Sequence, residues 1–200
     1  MIVIIDYGLG NLTSVKNALN KLGIPVAISD KPQDIKKARA LILPGVGAAG
    51  EGMKNLKEKG LDKLIIEEVN AGKPILGICL GMQLLFSSSE EGDVKCLDLI
   101  RGRVKKFQTK LKIPEIGWNQ VETNNNSELL GGIKDNNYFY FVNSYYCDSE
   151  DKEVIKGITE YDQKFCSVLE KNNIFGVQFH PERSGDNGLQ LLKNFWEAVC

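Results

Sequence analysis

Apolar residues fall along this chain in two textures, and the change between them predicts the architecture. In the first half, short apolar runs alternate with helical periodicity. Ile2-Val3-Ile4-Ile5 is a continuous apolar run, followed by the turn Asp6-Tyr7-Gly8-Leu9-Gly10-Asn11 and by Leu12, Val15, Leu19 and Leu22 at helical spacing. Gly23-Ile24-Pro25 ends that helix. Residues 26–28 read as a second strand, Ile35 and Ala38 as sitting on a short helix, and Ala40-Leu41-Ile42-Leu43 as a third strand. The loop of residues 44–50 precedes a helical region carrying Leu56, Leu61, Leu64, Ile65 and Val69. Residues 75–78, after Lys73-Pro74, read as a fourth strand that turns at Cys79 into an apolar helix over 80–86. Strands that are apolar throughout and alternate with helices predict a parallel sheet covered on both faces.

From about residue 98 the pattern changes to short strands and turns, over 100–107, 119–122, 138–146, 154–159 and 165–169. Asn124-Asn125-Asn126 and Gly131-Gly132 punctuate them, which predicts an antiparallel sheet attached to the parallel one. A last apolar strand, 174–179, ends at His180-Pro181-Glu182. Leu189, Leu192, Trp196 and Val199 then predict the core stripe of a closing helix. Residues 87–93 are polar but too short for an interdomain linker. The expectation is an α/β fold, a three-layer sandwich with a central mostly parallel sheet plus a smaller antiparallel sheet. One domain is expected to span residues 1–200.

Composition narrows the function classes. At 200 residues the chain can bury a substantial core without disulfide staples. Its 25 basic and 26 acidic residues leave a formal net charge of -1, which argues against nucleic acid or an anionic membrane surface as partner. The five cysteines, at 79, 96, 147, 166 and 200, form no CxxC pair, so neither a zinc ribbon nor a disulfide framework is suggested. The apolar run at the N-terminus is too short for a signal or spanning helix, and the expected location is cytoplasmic. A single histidine, His180, is available to any chemistry that needs an imidazole.

Three stretches could carry that chemistry. Gly77-Ile78-Cys79-Leu80-Gly81 has the strand-to-helix nucleophile-elbow pattern with sulfur in place of hydroxyl. Glycines flank such a turn because a Cβ there would collide with neighbouring backbone, and the following helix N-terminus favours the thiolate a nucleophile requires. The same residues also suit a plain buried Cys in a βα turn. Gln178-Phe179-His180-Pro181-Glu182 places the one imidazole at a strand end, with a carboxylate two residues on to orient it. Pro44-Gly45-Val46-Gly47 frees backbone amides directly after a strand, where an oxyanion needs donors; the amide of Leu80 would be one donor and Val46 or Gly47 the second. Gly8-Leu9-Gly10-Asn11-Leu12-Thr13 only partly matches a dinucleotide fingerprint, since Thr13 stands at the third glycine. Cys96, Cys147 and Cys166 read as packing residues.

In combination, Gly77 to Gly81 with Met82-Gln83, the distant His180-Pro181-Glu182 and the Pro44-Gly45-Val46-Gly47 loop resemble the class I (triad) glutamine amidotransferases. The stretches Asp6-Tyr7-Gly8-Leu9-Gly10-Asn11, Gly117-Trp118-Asn119 and Phe141-Val142-Asn143-Ser144-Tyr145 narrow the resemblance to glutaminase subunits of imidazole glycerol phosphate synthase, from histidine biosynthesis. The resemblance runs essentially end to end. It implies that Cys79 attacks the carboxamide of L-glutamine, that amides of Leu80, Val46 and Gly47 hold the oxyanion, and that His180, oriented by Glu182, moves the protons. Gln83, Glu91, Ser144 and Tyr145 match positions that bind the substrate. It also implies a heterodimer with a (β/α)8 cyclase subunit that receives the ammonia, and no metal or organic cofactor. Glu115 and Asn143 stand where such subunits usually carry histidine, both outside the triad. Related glutaminases feed other acceptors, including amidotransferases that build amidino sugars for surface polysaccharides, so a different synthase is the alternative partner. A catalytically dead binding subunit and a thiol hydrolase of the protease or esterase type are less well matched by this residue set.

Overall fold

The computed structural model describes residues 1–123 and 126–199; Cys200 and the predicted turn residues Asn124 and Asn125 lie outside the described residues. The first apolar run is β1 (Ile2–Ile5), with all four residues fully buried. Side chains alternate across a strand, so Ile2 and Ile4 enter one apolar cluster and Val3 and Ile5 the other. The chain continues through α1 (Leu12–Lys21), β2 (Val26–Ser29), α2 (Pro32–Lys37), β3 (Ala40–Gly45), α3 (Ala49–Glu58), α4 (Leu61–Asn70), β4 (Ile75–Cys79) and α5 (Leu80–Leu84). Beyond these come β5 (Phe86–Ser89), β6 (Val94–Lys95), β7 (Ile100–Lys106), β8 (Glu115–Thr123), β9 (Asn137–Asn143) and β10 (Tyr145–Ser149). β11 (Ile155–Glu160), β12 (Lys164–Lys171), β13 (Ile174–Val177) and α6 (Gly185–Val199) complete the described chain.

The strands run in the order β2-β1-β3-β4-β13-β12-β10-β7-β5-β6. From β2 to β13 every pairing is parallel, which makes the predicted parallel half. β13 to β12, β12 to β10 and β10 to β7 are antiparallel. A branch from β12 through β11 and β8 to β9 supplies the smaller antiparallel unit. One apolar cluster packs α2, α3 and α4 on one face of the parallel half; the other packs α1 and α6 on the opposite face. These are the three layers expected from strands buried on both sides.

Several elements differ from their sequence expectation. The helical region after residue 48 is two helices, because Gly60 adopts a left-handed conformation (φ 66°) between α3 and α4. The helix expected over 80–86 ends at Leu84, and Phe86 begins β5 instead. Phe86 is fully buried, its carbonyl accepts from Asp98, and the strand pairs in parallel with β7. The polar residues 87–89 are thus strand rather than loop, and tertiary pairing overrides their local preference. The single strand expected over 138–146 breaks at Ser144 into β9 and β10, which pair with different neighbours. Ala38 lies just past α2 in extended backbone. In α6 the fully buried stripe is Leu191, Leu192 and Phe195, while Leu189, Trp196 and Val199 flank it half-buried. Hydrophobic periodicity located the helix and Leu192 on its buried face, while Phe195, packed edge-on against Phe175, takes the central place expected for Trp196.

Candidate active site

β4 lies between β3 and β13, with Gly45 of β3 opposite Cys79 and Val177 of β13 opposite Ile78. The three strands run parallel, so their carboxyl ends meet at one edge. Cys79 leaves that edge at φ 54°, ψ −112°, a backbone state that non-glycine residues rarely hold. The flanking glycines make the turn possible. A Cβ at Gly77 would lie 2.7 Å from both the amide and the Cα of Met82, and one at Gly81 would run into the Leu43 carbonyl. The elbow therefore sits directly on β3, as its sequence required.

His180 follows β13 at the same edge. Its amide donates to the Tyr140 carbonyl at 2.9 Å, and its carbonyl accepts from Ser184 Oγ at 2.7 Å. Ser184 Oγ in turn accepts from the Tyr140 amide at 3.0 Å, so β9 and the residues after Pro181 clamp the backbone that carries the imidazole. Phe179 stacks on Phe139 at 4.1 Å and meets Phe141 edge-on at 5.5 Å, which fixes β9 against the His180 segment. His180 Nδ1 lies 2.9 Å from Glu182 Oε1, and the Glu182 side chain is 1% exposed.

The ring and the Cys79 sulfur line the same cavity. Burial by itself would lower the His180 pKa; hydrogen bonds and charges from Cys79 and Glu182 outweigh it and hold the imidazole up to about 10. Cys79 and Glu182 thus both favour the charged ring.

Cys79 and His180 open into a cavity of about 230 Å³. Val46, Gly47, Leu80, Gln83, Glu91, Ser144 and Tyr145 line it with them. Every candidate residue read from the sequence is thereby gathered at one site, with Glu182 behind His180. Gln83 Nε2 donates to the Tyr145 carbonyl at 3.2 Å and to Gln178 Oε1 at 3.0 Å. Glu91 Oε2 accepts from the Ala49 amide at 2.8 Å, which ties this lining residue to the start of α3.

Some site residues had not been singled out. Gln178 is fully buried and directs Nε2 at Cys79 Sγ, 3.7 Å away. Its signal was visible: an amide inside the apolar run 174–179 must find a buried partner. Val142, whose carbonyl lies 3.8 Å from Cys79 Sγ, and Ser184 contribute through position and carried no local signal. Tyr7 is fully buried beside Gly45, and burial, then Cys79, pushes its phenol above the ordinary value. Burial likewise raises the thiols of Cys96, to about 11, and of Cys147 and Cys166, which face each other across β10 and β12. Among the described residues no cluster of His, Cys, Asp and Glu could hold a metal ion, and no helix is long and apolar enough to cross a membrane.

A cysteine on a strand-to-helix elbow, an imidazole held by a carboxylate and a glycine loop at one parallel-sheet edge make up a candidate thiol-dependent acyl-transfer site. The chain belongs to the class-I glutamine amidotransferase family, whose model matches residues 3–199. It is 51% identical over 199 residues to imidazole glycerol phosphate synthase subunit HisH of Moorella thermoacetica, covering 99% of this chain and 95% of that one. It is 48% identical to the subunit of the same name from Chlorobaculum tepidum, covering 98% and 100%. A solved glutamine amidotransferase matches with a TM-score of 0.80 at 19% identity, covering 100% of this chain and 99% of that one. PurLQS from Thermotoga maritima matches at 0.79 and 19%, covering 100% and 98%. The two structural likenesses bear out the expected fold.

Proposed function

We propose that the chain is the glutaminase subunit of an imidazole glycerol phosphate synthase, hydrolysing L-glutamine to L-glutamate and ammonia for histidine biosynthesis. The observation that carries this reading is the convergence of Cys79, His180 and Glu182 on a cavity walled by Gln83, Glu91, Ser144 and Tyr145, in a chain about half identical to HisH subunits along its whole length.

In this reading Cys79 Sγ attacks the carboxamide carbon, and the amides of Leu80 and of Val46 or Gly47 receive the oxyanion. His180, already protonated at neutral pH, gives its proton to the departing nitrogen, leaving a thioester on Cys79. It then takes a proton from water, which attacks the thioester, releases glutamate and restores the sulfur. Glu182 keeps the ring turned toward Cys79 through Nδ1. Glu91 and the Ser144–Tyr145 backbone hold the amino-acid end of the substrate, and Gln83 its side-chain end.

The ammonia passes to a cyclase subunit, of (β/α)8 form, docked on the outer face of β8 and β9. That face exposes Ile116 (61%), Trp118 (55%) and Tyr138 (50%), and Arg183 lies 4.5 Å over the neighbouring Tyr140 ring. Exposed aromatics around an arginine are the composition of an interface centre. Ile116 pairs with Val142, which lines the cavity, so this face is one strand-thickness from the reacting atoms.

Glutamate and ammonia release, measured with and without the cyclase subunit, tests the reading. Cys79→Ala is expected to abolish glutamine hydrolysis while ammonium-supported synthesis by the complex persists; loss of both would make Cys79 a structural residue. Absence of glutamate under either condition, with Cys79 unreactive toward a glutamine-like affinity reagent, sinks the enzyme assignment. Recovery of a sugar amidotransferase rather than a barrel subunit from native cells overturns the pathway.

A further inference from the structure

Glu115 opens β8 and Asn143 closes β9, and the antiparallel ladder sets them directly opposite each other. Such pairs bring their Cβ atoms within about 5 Å. Both side chains are on the buried face, 3% and 5% exposed. Each makes one hydrogen bond and leaves one oxygen buried without a partner among the described residues. Glu115 Oε1 accepts from Asn119 Nδ2 at 2.7 Å, and Oε2 is left over. Asn143 Nδ2 donates to the Tyr145 carbonyl at 3.1 Å, and Oδ1 is left over. Two buried acceptors on directly opposed residues of one face each need a hydrogen, and a proton on the carboxyl would let one satisfy the other.

We propose that Glu115 and Asn143 are a positioning pair for the glutamine pocket, sharing one proton-dependent hydrogen bond that decides whether Asn143 supports the Tyr145 carbonyl. This rests on the glutaminase reading of the same site. With Glu115 protonated, Oε2 donates to Asn143 Oδ1, and Asn143 keeps Nδ2 on Tyr145. With Glu115 ionised, the amide gains by turning Nδ2 to the carboxylate. The turn needs no repacking, because amide oxygen and nitrogen are nearly the same size. It sets Oδ1 against the Tyr145 carbonyl, which still accepts from Gln83. The disturbance reaches the nucleophile through Gln83, Gln178 and Cys79, each bonded to the next.

Burial raises the Glu115 carboxyl above its ordinary value and Asn119 only partly opposes it. The groups facing it are Asn119 on its own strand and Asn143 on β9, neither of which titrates; from β11 the Glu160 backbone carbonyl enters, bound by Asn119. A raised carboxyl holds its proton at low pH and loses it as pH climbs through the folded value. The pocket is therefore tighter on the acid side.

The test is glutamine hydrolysis by the complex with its cyclase subunit, from weakly acidic to weakly alkaline pH. For the unaltered protein, KM should rise about tenfold across the Glu115 titration, the worth of one hydrogen bond, with a smaller change in kcat. Glu115→Gln, whose amide can donate to Asn143 while its oxygen keeps Asn119, should hold the low KM throughout. Glu115→Ala and Asn143→Ala should show the high KM throughout. The side-chain amide NMR signals of Asn143 should move with the same midpoint in the unaltered protein and stay constant in Glu115→Gln. Identical KM profiles for the unaltered protein and Glu115→Gln, or Asn143 signals that ignore pH, overturn the pair. A complex that hydrolyses no glutamine at all overturns the glutaminase reading instead, and the Asn143 signals still decide the pair.

Discussion

His180 is the residue on which the site's electrostatics meet. Buried imidazoles ordinarily lose their proton, yet this one holds it to about 10 through Cys79 and Glu182. Because it is the chain's one histidine, its ring protons can be followed by NMR without assignment. The expected titration midpoint is near 10, and either Cys79→Ala or Glu182→Gln should lower it, since each removes a group that favours the charged ring. A midpoint unmoved by Cys79→Ala would mean that the sulfur and the ring do not interact. The candidate triad residues were readable because each carries rare chemistry at a marked place: a Cys between glycines, a lone His before Pro, and a Glu two residues on. Gln178, Ser184 and Asn143 were harder, since a buried amide or hydroxyl declares its role only through the partner it reaches.

At the scale of elements, the elbow shows how much backbone space decides. Gly81→Ala is expected to destabilise the protein by about 2 kcal/mol or more and to remove hydrolysis, because its methyl must displace the Leu43 carbonyl beneath the loop that carries Val46 and Gly47. Gly50→Ala is the contrasting case. Gly50 lies in the first turn of α3 with open space around it, so alanine should stabilise by roughly 0.5–1 kcal/mol through helix propensity. Thermal or urea unfolding measures both; equal shifts of the same sign would refute the packing argument. The strands and helices of the parallel half were legible because continuous apolar runs and 3.6-residue periodicity report two-sided and one-sided burial directly. The end of the short helix α5 and the serine strand β5 were not, because their boundary is set by pairing with β7, a partner far along the chain.

For the whole molecule, pH acts on folding through the same imidazole. The folded pKa lies above the unfolded value near 6.5, so His180 contributes stability that is fully present below that value and lost as pH rises toward 10. Urea midpoints should fall across this window in the unaltered protein, and the fall should move to lower pH in Cys79→Ala; superimposable curves would contradict the coupling. Assembly is a separate property. Trp118 is more than half exposed on the outer face of β8 and β9, so Trp118→Ala should leave unfolding unchanged while weakening binding of the cyclase subunit by about tenfold to a hundredfold, as loss of an aromatic anchor does. Calorimetry or analytical ultracentrifugation would measure it, and unaltered affinity would move the docking face elsewhere.

The chain's own order of residues determined the layered α/β plan and marked the candidate nucleophile and base, because hydrophobic period and glycine placement are local statements about burial and backbone space. Tertiary structure alone decided which side chains share the cavity edge, which groups favour a charged imidazole, and that Glu115 lies opposite Asn143. Those facts depend on strands brought into register from distant parts of the chain, and on a dielectric and a set of neighbours that exist only once the sheet has formed.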